Sequence, residues 1–366
     1  MELFKELELV LNSFDIKGKP ISVEPYGNGL INRSFYAVYE ENGVKKPYLL
    51  QKINSKLFDP VESLMQNIEL VTEFNRKKIL ERGGNPDRES LTIIKTRDGK
   101  AYYKTEDGEY YRLYIFIEDT IALQKVENPR DFYYSAIAFG NFNNLLAEFD
   151  ASKLYEILPN FHNTKVRYQN FLTALEKDEF NRAKDCQKEI EFIKARESYY
   201  GKIVDMLASG EMPLKVTHND TKLNNVLLDD KTSEPVCVID LDTIMPGTIC
   251  YDFGDSIRSG CNSSVEDEQD ISKVYFRLDL FEMYAKGFLE ALGNRIEPIE
   301  RKNLAFGAIL MTIECGMRFL TDYLSGDTYF RTTRQGQNLD RTRTQLKLVA
   351  DMENVFEQMN AIVEKY

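Results

Sequence analysis

Two carboxylates and one amide have the types and spacing to do chemistry in this chain. Asp220 is followed by Asn225, and Asp240 ends an apolar run at 236–239. A carboxylate can accept a proton from a hydroxyl group, and carboxylate and amide oxygens are ligands that Mg²⁺ prefers. Phosphoryl transfer needs little covalent help but much positioning and charge neutralisation. The residues therefore indicate phosphoryl transfer, with Asp220 as the base and Asn225 and Asp240 as metal ligands.

The spacing around Asp220 is specific. It fits H-x-D-x-x-x-x-N, the catalytic-loop pattern of kinases, in the stretch His218-Asn219-Asp220-Thr221-Lys222-Leu223-Asn224-Asn225. Lys222 follows the base by two residues and is predicted to offset the charge of the γ-phosphate of ATP. A lone Asp beside Asn is usually a turn. The full pattern, followed by a strand, a turn, a second strand and Asp240, instead favours a kinase that uses ATP and Mg²⁺.

A second candidate for the metal carboxylate is rejected. Asp252-Phe253-Gly254 spells the D-F-G of protein kinases. It follows Met245-Pro246-Gly247, which breaks regular structure, and lies farther along the chain from the base than Asp240 does. We expect Asp252 to cap or anchor the next segment. Of the two histidines, we interpret His218 as a brace for the catalytic loop and His162 as structural.

The first 118 residues are predicted to bind the nucleotide. Alternating apolar residues and turn signals indicate a small antiparallel sheet with one main helix at 61–81. Gly27 and Gly29 lie between two strands, where a loop over the phosphates is expected, although an ordinary turn has the same pattern. The connector Phe116-Ile117-Glu118 should offer backbone groups to adenine.

Lys52 is the predicted phosphate-binding lysine of this region. It ends a strand at 48–53, and alternation places it on one face with Leu50, whereas Gln51 is one step away. A lysine at a strand end is usually only solvated. Its acidic partner should come from the helix at 61–81. We choose Glu69, in the middle of that helix, with Glu62 as the alternative.

From about residue 130 helices dominate the chain. The predicted fold is therefore α+β, a bilobal protein-kinase-like fold. Residues 1–118 form the N-terminal nucleotide-binding lobe, and residues 119–366 form the mainly helical catalytic and substrate-binding lobe. The predicted helices of the second lobe lie at 131–149, 166–176, 181–209, 272–292, 298–324 and 340–365.

Composition excludes several other classes of protein. The formal net charge of -12 argues against a nucleic-acid partner, since such proteins need a basic surface to neutralise phosphates. No apolar run approaches the ~20 residues that span a bilayer. The five cysteines are scattered and lack metal-site spacing, which is typical of a reducing compartment. We expect a cytoplasmic monomer that binds a small-molecule substrate and ATP, with no membrane or nucleic-acid partner.

The motifs together resemble the aminoglycoside phosphotransferase and choline kinase superfamily, and within it the N-acetylhexosamine 1-kinases. The resemblance covers nearly the whole chain. One departure is Leu30, which stands where a polar residue such as His would be expected. The resemblance rests on the catalytic stretch and on Ile239-Asp240-Leu241-Asp242-Thr243, Tyr251-Asp252-Phe253-Gly254-Asp255, Gly27-Asn28-Gly29-Leu30-Ile31-Asn32, Leu158-Pro159-Asn160-Phe161-His162-Asn163-Thr164 and Gly336-Gln337-Asn338-Leu339-Asp340-Arg341.

That resemblance implies phosphorylation of the anomeric hydroxyl of N-acetylglucosamine or N-acetylgalactosamine by ATP. It assigns sugar contacts to Arg318 and Tyr329. On pattern alone, an Arg that interrupts an apolar helix could equally extend its charge to the surface. Asn32 could bind sugar or phosphate, or could simply form a turn.

Two other hypotheses remain open from the sequence. A kinase of the same fold could act on choline, an aminoglycoside, homoserine or methylthioribose. A catalytically inactive ATP-binding protein should lack the base, the amide ligand or the metal carboxylate. Asp220, Asn225 and Asp240 are all present, which ranks that hypothesis low.

Overall fold

A computed structural model describes residues 2–27, 29 and 31–366; Met1, Asn28 and Leu30 lie outside the described residues. Within that part of the chain, the strands form an antiparallel sheet near the N-terminus and two small sheets. The strands are β1 (Lys19–Pro25), β2 (Arg33–Glu41), β3 (Val44–Ile53), β4 (Ile93–Ile94), β5 (Tyr103–Lys104), β6 (Tyr110–Ile115), β7 (Thr120–Ile121), β8 (Lys215–Thr217), β9 (Val226–Asp229), β10 (Pro235–Val238) and β11 (Met245–Gly247).

Helices form most of the chain after β7. This pattern confirms the predicted α+β class. The helices are α1 (Glu2–Ser13), α2 (Val61–Glu81), α3 (Pro86–Glu89), α4 (Pro129–Leu145), α5 (Thr164–Lys177), α6 (Gln187–Lys194), α7 (Glu197–Tyr200), α8 (Lys202–Ser209), α9 (Ile249–Gly260), α10 (Leu278–Leu292), α11 (Pro298–Leu324), α12 (Gln337–Asn354) and α13 (Phe356–Lys365).

The N-terminal sheet has the order β1-β2-β3-β6-β4, with β5 pairing β6. One face buries the apolar side chains of β2, β3 and β6 against α1; Phe35, Leu50 and Leu113 belong to this cluster. Full burial of such side chains contributes about 1.5–3 kcal/mol each. Because side chains alternate along a strand, Gln51 points to the opposite face. Gln51 lies opposite Arg112 in the antiparallel register.

Close helix packing determines the core of the C-terminal region. Gly254 on α9 and Gly307 on α11 stand where the two helices touch, and a Cβ added to Gly254 would lie 2.4 Å from the Gly307 carbonyl oxygen. Conversely, a Cβ on Gly307 would lie 2.6 Å from the Cys250 oxygen. Glycine therefore lets the two backbones approach to a distance that no other residue permits.

The described structure divides into two compact units. One consists of Met1–Ile121, Ser152–Leu158 and Leu227–Met245, and the other of Ala122–Ala151, Pro159–Val226 and Pro246–Tyr366. The first contains the N-terminal sheet with α2, and the second contains most of the helices. The functional division at residues 118 and 119 remains a prediction.

Among the described residues, α11 is the one helix long and apolar enough to cross a membrane. Its most apolar window is 83% buried inside the protein. Such burial is what a core helix shows, and α11 packs against α9, α12 and α5.

Candidate active site

The catalytic loop joins β8 to a short 3-10 helix at Leu223–Asn225. Lys222 Nζ lies 2.7 Å from Asp220 Oδ1. Asn225 Nδ2 donates to the Asp220 carbonyl at 2.8 Å and to Asp220 Oδ2 at 3.1 Å. The structure therefore brings three of the predicted site residues together, with Asp220 held by a cation and by an amide.

Burial and charge act in opposite directions on Lys222. Burial alone lowers its pKa, but the carboxylates of Asp220 and Asp255 raise the pKa overall. The ammonium group therefore stays charged at neutral pH. This is the state required of a group that offsets phosphate charge.

Asp252 holds the backbone of the catalytic loop and does not cap a helix. The cap of α9 is Thr248, and Asp252 is a fully buried residue in the first turn. It accepts hydrogen bonds from the amides of His218 at 3.0 Å and Asn219 at 2.8 Å. Burial raises the pKa of this carboxyl group, whereas the nearby His218 and the two amides oppose that rise. The expectation that Asp252 anchors the following segment is corrected, since its bonds reach back to the loop before it.

Asp255 provides a second anchor one turn further along α9. Its Oδ2 accepts the amide of Thr221 at 3.0 Å, and its Oδ1 accepts two bonds from Arg258. Burial raises the pKa of Asp255, but Arg258 and Lys222 lower it overall. The carboxylate therefore remains ionised and fixes the residue that follows the base.

His218 occupies a bracing position in the same loop. It is fully buried, its ring contacts Phe139 and Phe142 edge to face, and its Nδ1 accepts the amide of Asp220 at 3.3 Å. These contacts fix the direction in which the Asp220 side chain leaves the backbone.

Asp240 begins a tight turn in the other unit. It adopts a left-handed conformation with φ of 62°, just before the 3-10 helix Leu241–Thr243. Two residues on, buried Asp242 binds Arg112 of β6 and accepts Asn32 Nδ2 at 2.5 Å. Asn32 Oδ1 in turn accepts the amide of Asn54 at 2.9 Å. The side chain of Asn32, predicted to bind substrate, is therefore committed to this network, and its role with substrate remains a prediction.

The predicted ion pair of Lys52 is not formed. Lys52 Nζ lies 3.0 Å from Glu109, and Glu69 lies 2.6 Å from Lys95. The alternative, Glu62, accepts the hydroxyl of Tyr110 at 3.1 Å. The physical reason is the face of the strand, because Lys52 has the same direction as Leu50, which packs against α1. The nucleotide-binding roles of Lys52 and Glu69 remain predictions.

The connector at 116–118 is held by its backbone. The amide of Phe116 donates to Pro47, and the carbonyls of Ile117 and Glu118 accept Thr120 Oγ1 and Arg88. Among the described residues, the amide of Ile117 makes no backbone hydrogen bond, and the contact of this connector with adenine remains a prediction.

Aromatic rings converge on the connector. Phe116 contacts Tyr36 at 4.9 Å and Tyr26 at 5.3 Å between ring centroids, both nearly perpendicular. Gly27, with φ of 70°, follows Tyr26 directly. Gly27 and Gly29 are both described, and their predicted contact with phosphates remains a prediction.

Arg318 belongs to α11, and its side chain lies among aromatic rings from outside that helix. Its guanidinium lies 5.3 Å from the ring centroid of Phe161, 5.9 Å from Tyr329 and 5.4 Å from Phe330. Among the described residues it has no hydrogen bond and no ion pair. Asp322, one turn later, accepts the amides of residues 328–330 at 2.8–2.9 Å. Asp322 has no role predicted from the sequence, yet it holds the loop that contains the exposed Tyr329.

A buried pair that sequence reasoning missed lies beside this group. His162 Nδ1 is 2.8 Å from Glu314 Oε1, with side chains 8% and 1% exposed. His162 Nε2 and Glu314 Oε2 are buried and have no hydrogen-bond partner among the described residues. Glu314 precedes Arg318 by one helical turn, so both project from one face of α11. The spacing of Glu314 and Arg318 on a predicted helix was the available signal.

The two predicted magnesium ligands have donor atoms of the right chemistry, and their binding of one ion remains a prediction. Asn225 uses its Nδ2 for Asp220, which leaves its Oδ1 without a hydrogen bond among the described residues. An amide oxygen and the Asp240 carboxylate are hard oxygen donors of the kind that Mg²⁺ takes. Within the described residues, no group of three or more His, Cys, Asp and Glu lies close enough to hold a metal ion.

Solved structures share this fold at low sequence identity. An aminoglycoside phosphotransferase from Alicyclobacillus acidocaldarius has a TM-score of 0.61 and 11% identity, over 97% of this chain and 95% of that one. A spectinomycin phosphotransferase in complex with ADP and its antibiotic has a TM-score of 0.58 and 13% identity, over 96% and 98%. A choline kinase from Cryptosporidium parvum has a TM-score of 0.53 and 12% identity, over 94% and 92%.

The sequence of the chain agrees with these structures. Its residues 22–289 match the family model described as the phosphotransferase enzyme family, APH. The matched range contains most of the N-terminal sheet, the catalytic loop, the turn at Asp240 and α9. By this match and by its protein-kinase-like fold, the chain belongs to the APH phosphotransferase family.

Proposed function

We propose that this kinase transfers the γ-phosphate of ATP to the anomeric hydroxyl of an N-acetylhexosamine, N-acetylglucosamine or N-acetylgalactosamine, giving the sugar 1-phosphate and ADP. The observation that carries the choice of acceptor is the guanidinium of Arg318, enclosed by three aromatic rings without an acidic partner among the described residues. Membership of the family supports small-molecule phosphorylation, and the acceptor is argued from this group.

The charge near Arg318 disfavours a cationic acceptor. A choline site requires aromatic faces turned toward a quaternary ammonium, but here those faces already meet a guanidinium. Arg167 lies close enough that burial and then the charge of Arg318 lower its pKa. Two positive charges repel choline, ethanolamine and aminoglycosides. They leave donors for the carbonyl and hydroxyl oxygens of a neutral sugar.

The aromatic rings also suit a sugar. Tyr329 is 64% exposed and perpendicular to Phe330, with ring centroids 4.8 Å apart. An exposed ring offers an apolar platform to the C–H face of a pyranose, while the planar guanidinium binds its polar edge. Such a pairing of apolar face and polar edge distinguishes a sugar from a small amino alcohol.

In the proposed reaction Asp220 accepts a hydrogen bond from the acceptor hydroxyl and takes its proton as the oxygen attacks the γ-phosphorus. Asn225 donates to Asp220 and so fixes the carboxylate, and Lys222 offsets charge on the transferred group. Magnesium, when bound through Asn225 and Asp240, would neutralise charge on the phosphate oxygens. The connector at 116–118 holds adenine through its backbone.

The test is a panel of acceptors in an ADP-release assay, followed by identification of the phosphorylated position. We expect turnover with N-acetylglucosamine or N-acetylgalactosamine and a product that has lost its reducing end. Turnover of choline or an aminoglycoside with inert N-acetylhexosamines would overturn the proposal. Turnover of methylthioribose or homoserine alone would leave a neutral-acceptor kinase of another specificity and would also reject the sugar assignment.

Arg318→Ala tests the residue on which the choice rests. We expect a rise of about 10- to 100-fold in the acceptor KM, because a hydrogen bond from a charged group is worth roughly 1.5–3 kcal/mol, with the KM for ATP unchanged. Arg343→Ala is the control, since Arg343 is half-exposed on α12 and pairs with Glu189. Unchanged acceptor kinetics in Arg318→Ala would remove Arg318 from the site.

A further inference from the structure

Asp242 contacts a cation on one face of the N-terminal sheet, and that cation is Arg112 and not Lys52. The side chain of Lys52 has the direction of Leu50 and is 26% exposed, and its ammonium group pairs with Glu109. On the opposite face, Gln51 Oε1 accepts Arg112 Nε at 2.9 Å, and Gln51 Nε2 donates to Ser34 Oγ at 3.0 Å.

We propose that Arg112 is the cation that contacts the polyphosphate of the nucleotide, in place of the lysine expected at the end of β3. Its Nε binds Gln51 and its Nη1 binds Asp242. Its Nη2 has no partner among the described residues, so two N–H groups remain for phosphate oxygens. A guanidinium held on two sides presents its remaining donors in a fixed direction, which suits phosphate.

The elements around Arg112 are those predicted to meet the nucleotide. Asp242 is shared with Asn32, which follows the loop of Gly27 and Gly29. Asp240, the proposed metal ligand, is near enough that its charge is among those that raise the pKa of Arg112. Arg112 is therefore linked through Asp242 to the residue that follows the predicted phosphate loop and lies near the predicted metal carboxylate, whereas Lys52 pairs with Glu109.

The free-energy cost of burying the ion pair of Arg112 and Asp242 supports a functional role for it. Arg112 is 1% and Asp242 5% exposed in their side chains. A buried ion pair is often no more stabilising than apolar residues of the same size, so stability alone gives little reason to retain one. Binding a polyanion gives a reason, since the N–H groups of Arg112 that Gln51 and Asp242 leave unused can donate to phosphate oxygens.

The experiment measures binding of Mg²⁺–ADP and of adenosine to the full chain by calorimetry, with no acceptor present. Its outcome therefore does not depend on the sugar proposal. For Arg112→Met we expect binding of Mg²⁺–ADP to weaken about tenfold or more, while adenosine, which has no phosphates, binds as in the parent protein. Lys52→Met tests the competing prediction from the sequence: the proposal expects both affinities within about twofold of the parent, whereas a phosphate-binding Lys52 would make this variant bind Mg²⁺–ADP weakly.

Arg112→Lys keeps the charge and loses the second and third nitrogen atoms. It should retain part of the Mg²⁺–ADP affinity. Circular dichroism shows whether Arg112→Met folds. If Arg112→Met does not fold, Arg112→Lys becomes the deciding variant. Unchanged Mg²⁺–ADP affinity in the deciding variant overturns the proposal. So does equal weakening of adenosine, which would indicate a purely structural role, and so does a loss of Mg²⁺–ADP affinity in Lys52→Met.

Discussion

At the scale of single residues, the position of Asp220 depends on partners with different charges. Lys222 and Asn225 both contact its side chain, and His218 accepts its amide. A general base must be held toward one hydroxyl. The contacts of the loop fix the Asp220 carboxylate from two sides, because one partner is a cation and another is a neutral donor.

Asp220→Asn should reduce kcat by roughly 100- to 10,000-fold, the range that general-base catalysis contributes. Asparagine keeps the shape and one oxygen of the side chain but cannot take the proton. The measurement is steady-state ADP release with the acceptor found in the panel, together with a thermal unfolding curve. Asp230→Asn, in the turn between β9 and β10, is the control and should have parental kinetics. A kcat within about threefold of the parent for Asp220→Asn would show that another group is the base.

His162→Gln and Glu314→Gln should raise the KM for the acceptor several-fold and leave the KM for ATP unchanged. His162 Nε2 and Glu314 Oε2 are buried without partners, and a buried unpaired polar atom costs about 1–3 kcal/mol. A ligand that pairs with them recovers that cost. Initial rates at varied acceptor and varied ATP separate the two constants. Equal effects on both, or on neither, would assign the pair to stability alone.

At the scale of elements, α9 positions the catalytic loop. Asp252 and Asp255 each accept amides of the loop from consecutive turns of this helix. Phe253 lies between them and is fully buried against Phe281 and Phe288. The letters D-F-G thus describe an anchor, a core residue and a helix contact.

Gly254→Ala should lower the free energy of unfolding by about 1–3 kcal/mol, as overpacking does. The added Cβ would lie 2.4 Å from the Gly307 oxygen and 2.6 Å from Met311 Cγ, and a backbone oxygen cannot move aside. Urea denaturation measures the change. The control is Ser259→Ala on the exposed side of α9, with an expected change within about 0.5 kcal/mol. Equal stability of the parent and Gly254→Ala would mean that α9 and α11 separate without cost.

At the scale of the whole molecule, the negative net charge of the protein opposes the binding of a negatively charged nucleotide. A chain with a net charge of -12 must attract a nucleotide that is itself an anion. Local cations have to reverse the average sign, and Arg112 and Lys222 are the candidates that the structure offers. A divalent cation bound with the nucleotide would supply more positive charge than any single side chain.

Removing divalent cations with EDTA should therefore abolish turnover, and excess Mg²⁺ should restore it. Asp240→Asn should require a higher Mg²⁺ concentration for half-maximal rate, because an amide is a weaker ligand than a carboxylate. The measurement is the rate of ADP release against free Mg²⁺ at saturating ATP and acceptor. Full activity in EDTA, or an unchanged Mg²⁺ requirement in Asp240→Asn, would contradict the assignment of Asp240.

The sequence by itself determined the fold class, the catalytic stretch and the strongly periodic helices. The predicted bounds of α2 at 61–81 and of α11 at 298–324 are confirmed, because long runs of well-spaced apolar residues dominate local preference. The helix predicted at 181–209 was wrong as one element, since the chain there forms α6, α7 and α8. The spacing of Asp220 and Asn225 depends on neighbours in the chain, so it needed no tertiary information.

Only the tertiary structure revealed helix α9 and the partners of the polar and charged side chains. Helix α9 is rich in residues of low helix propensity, including Gly254, Ser256 and Ser259, so local preference does not predict it and its stability comes from burial on almost all sides. The side chains that meet Lys52, Asn32 and Asp252 come from residues far away in sequence. Local spacing selects residues able to do chemistry, but a charged side chain takes the partner that folding brings within a few ångströms.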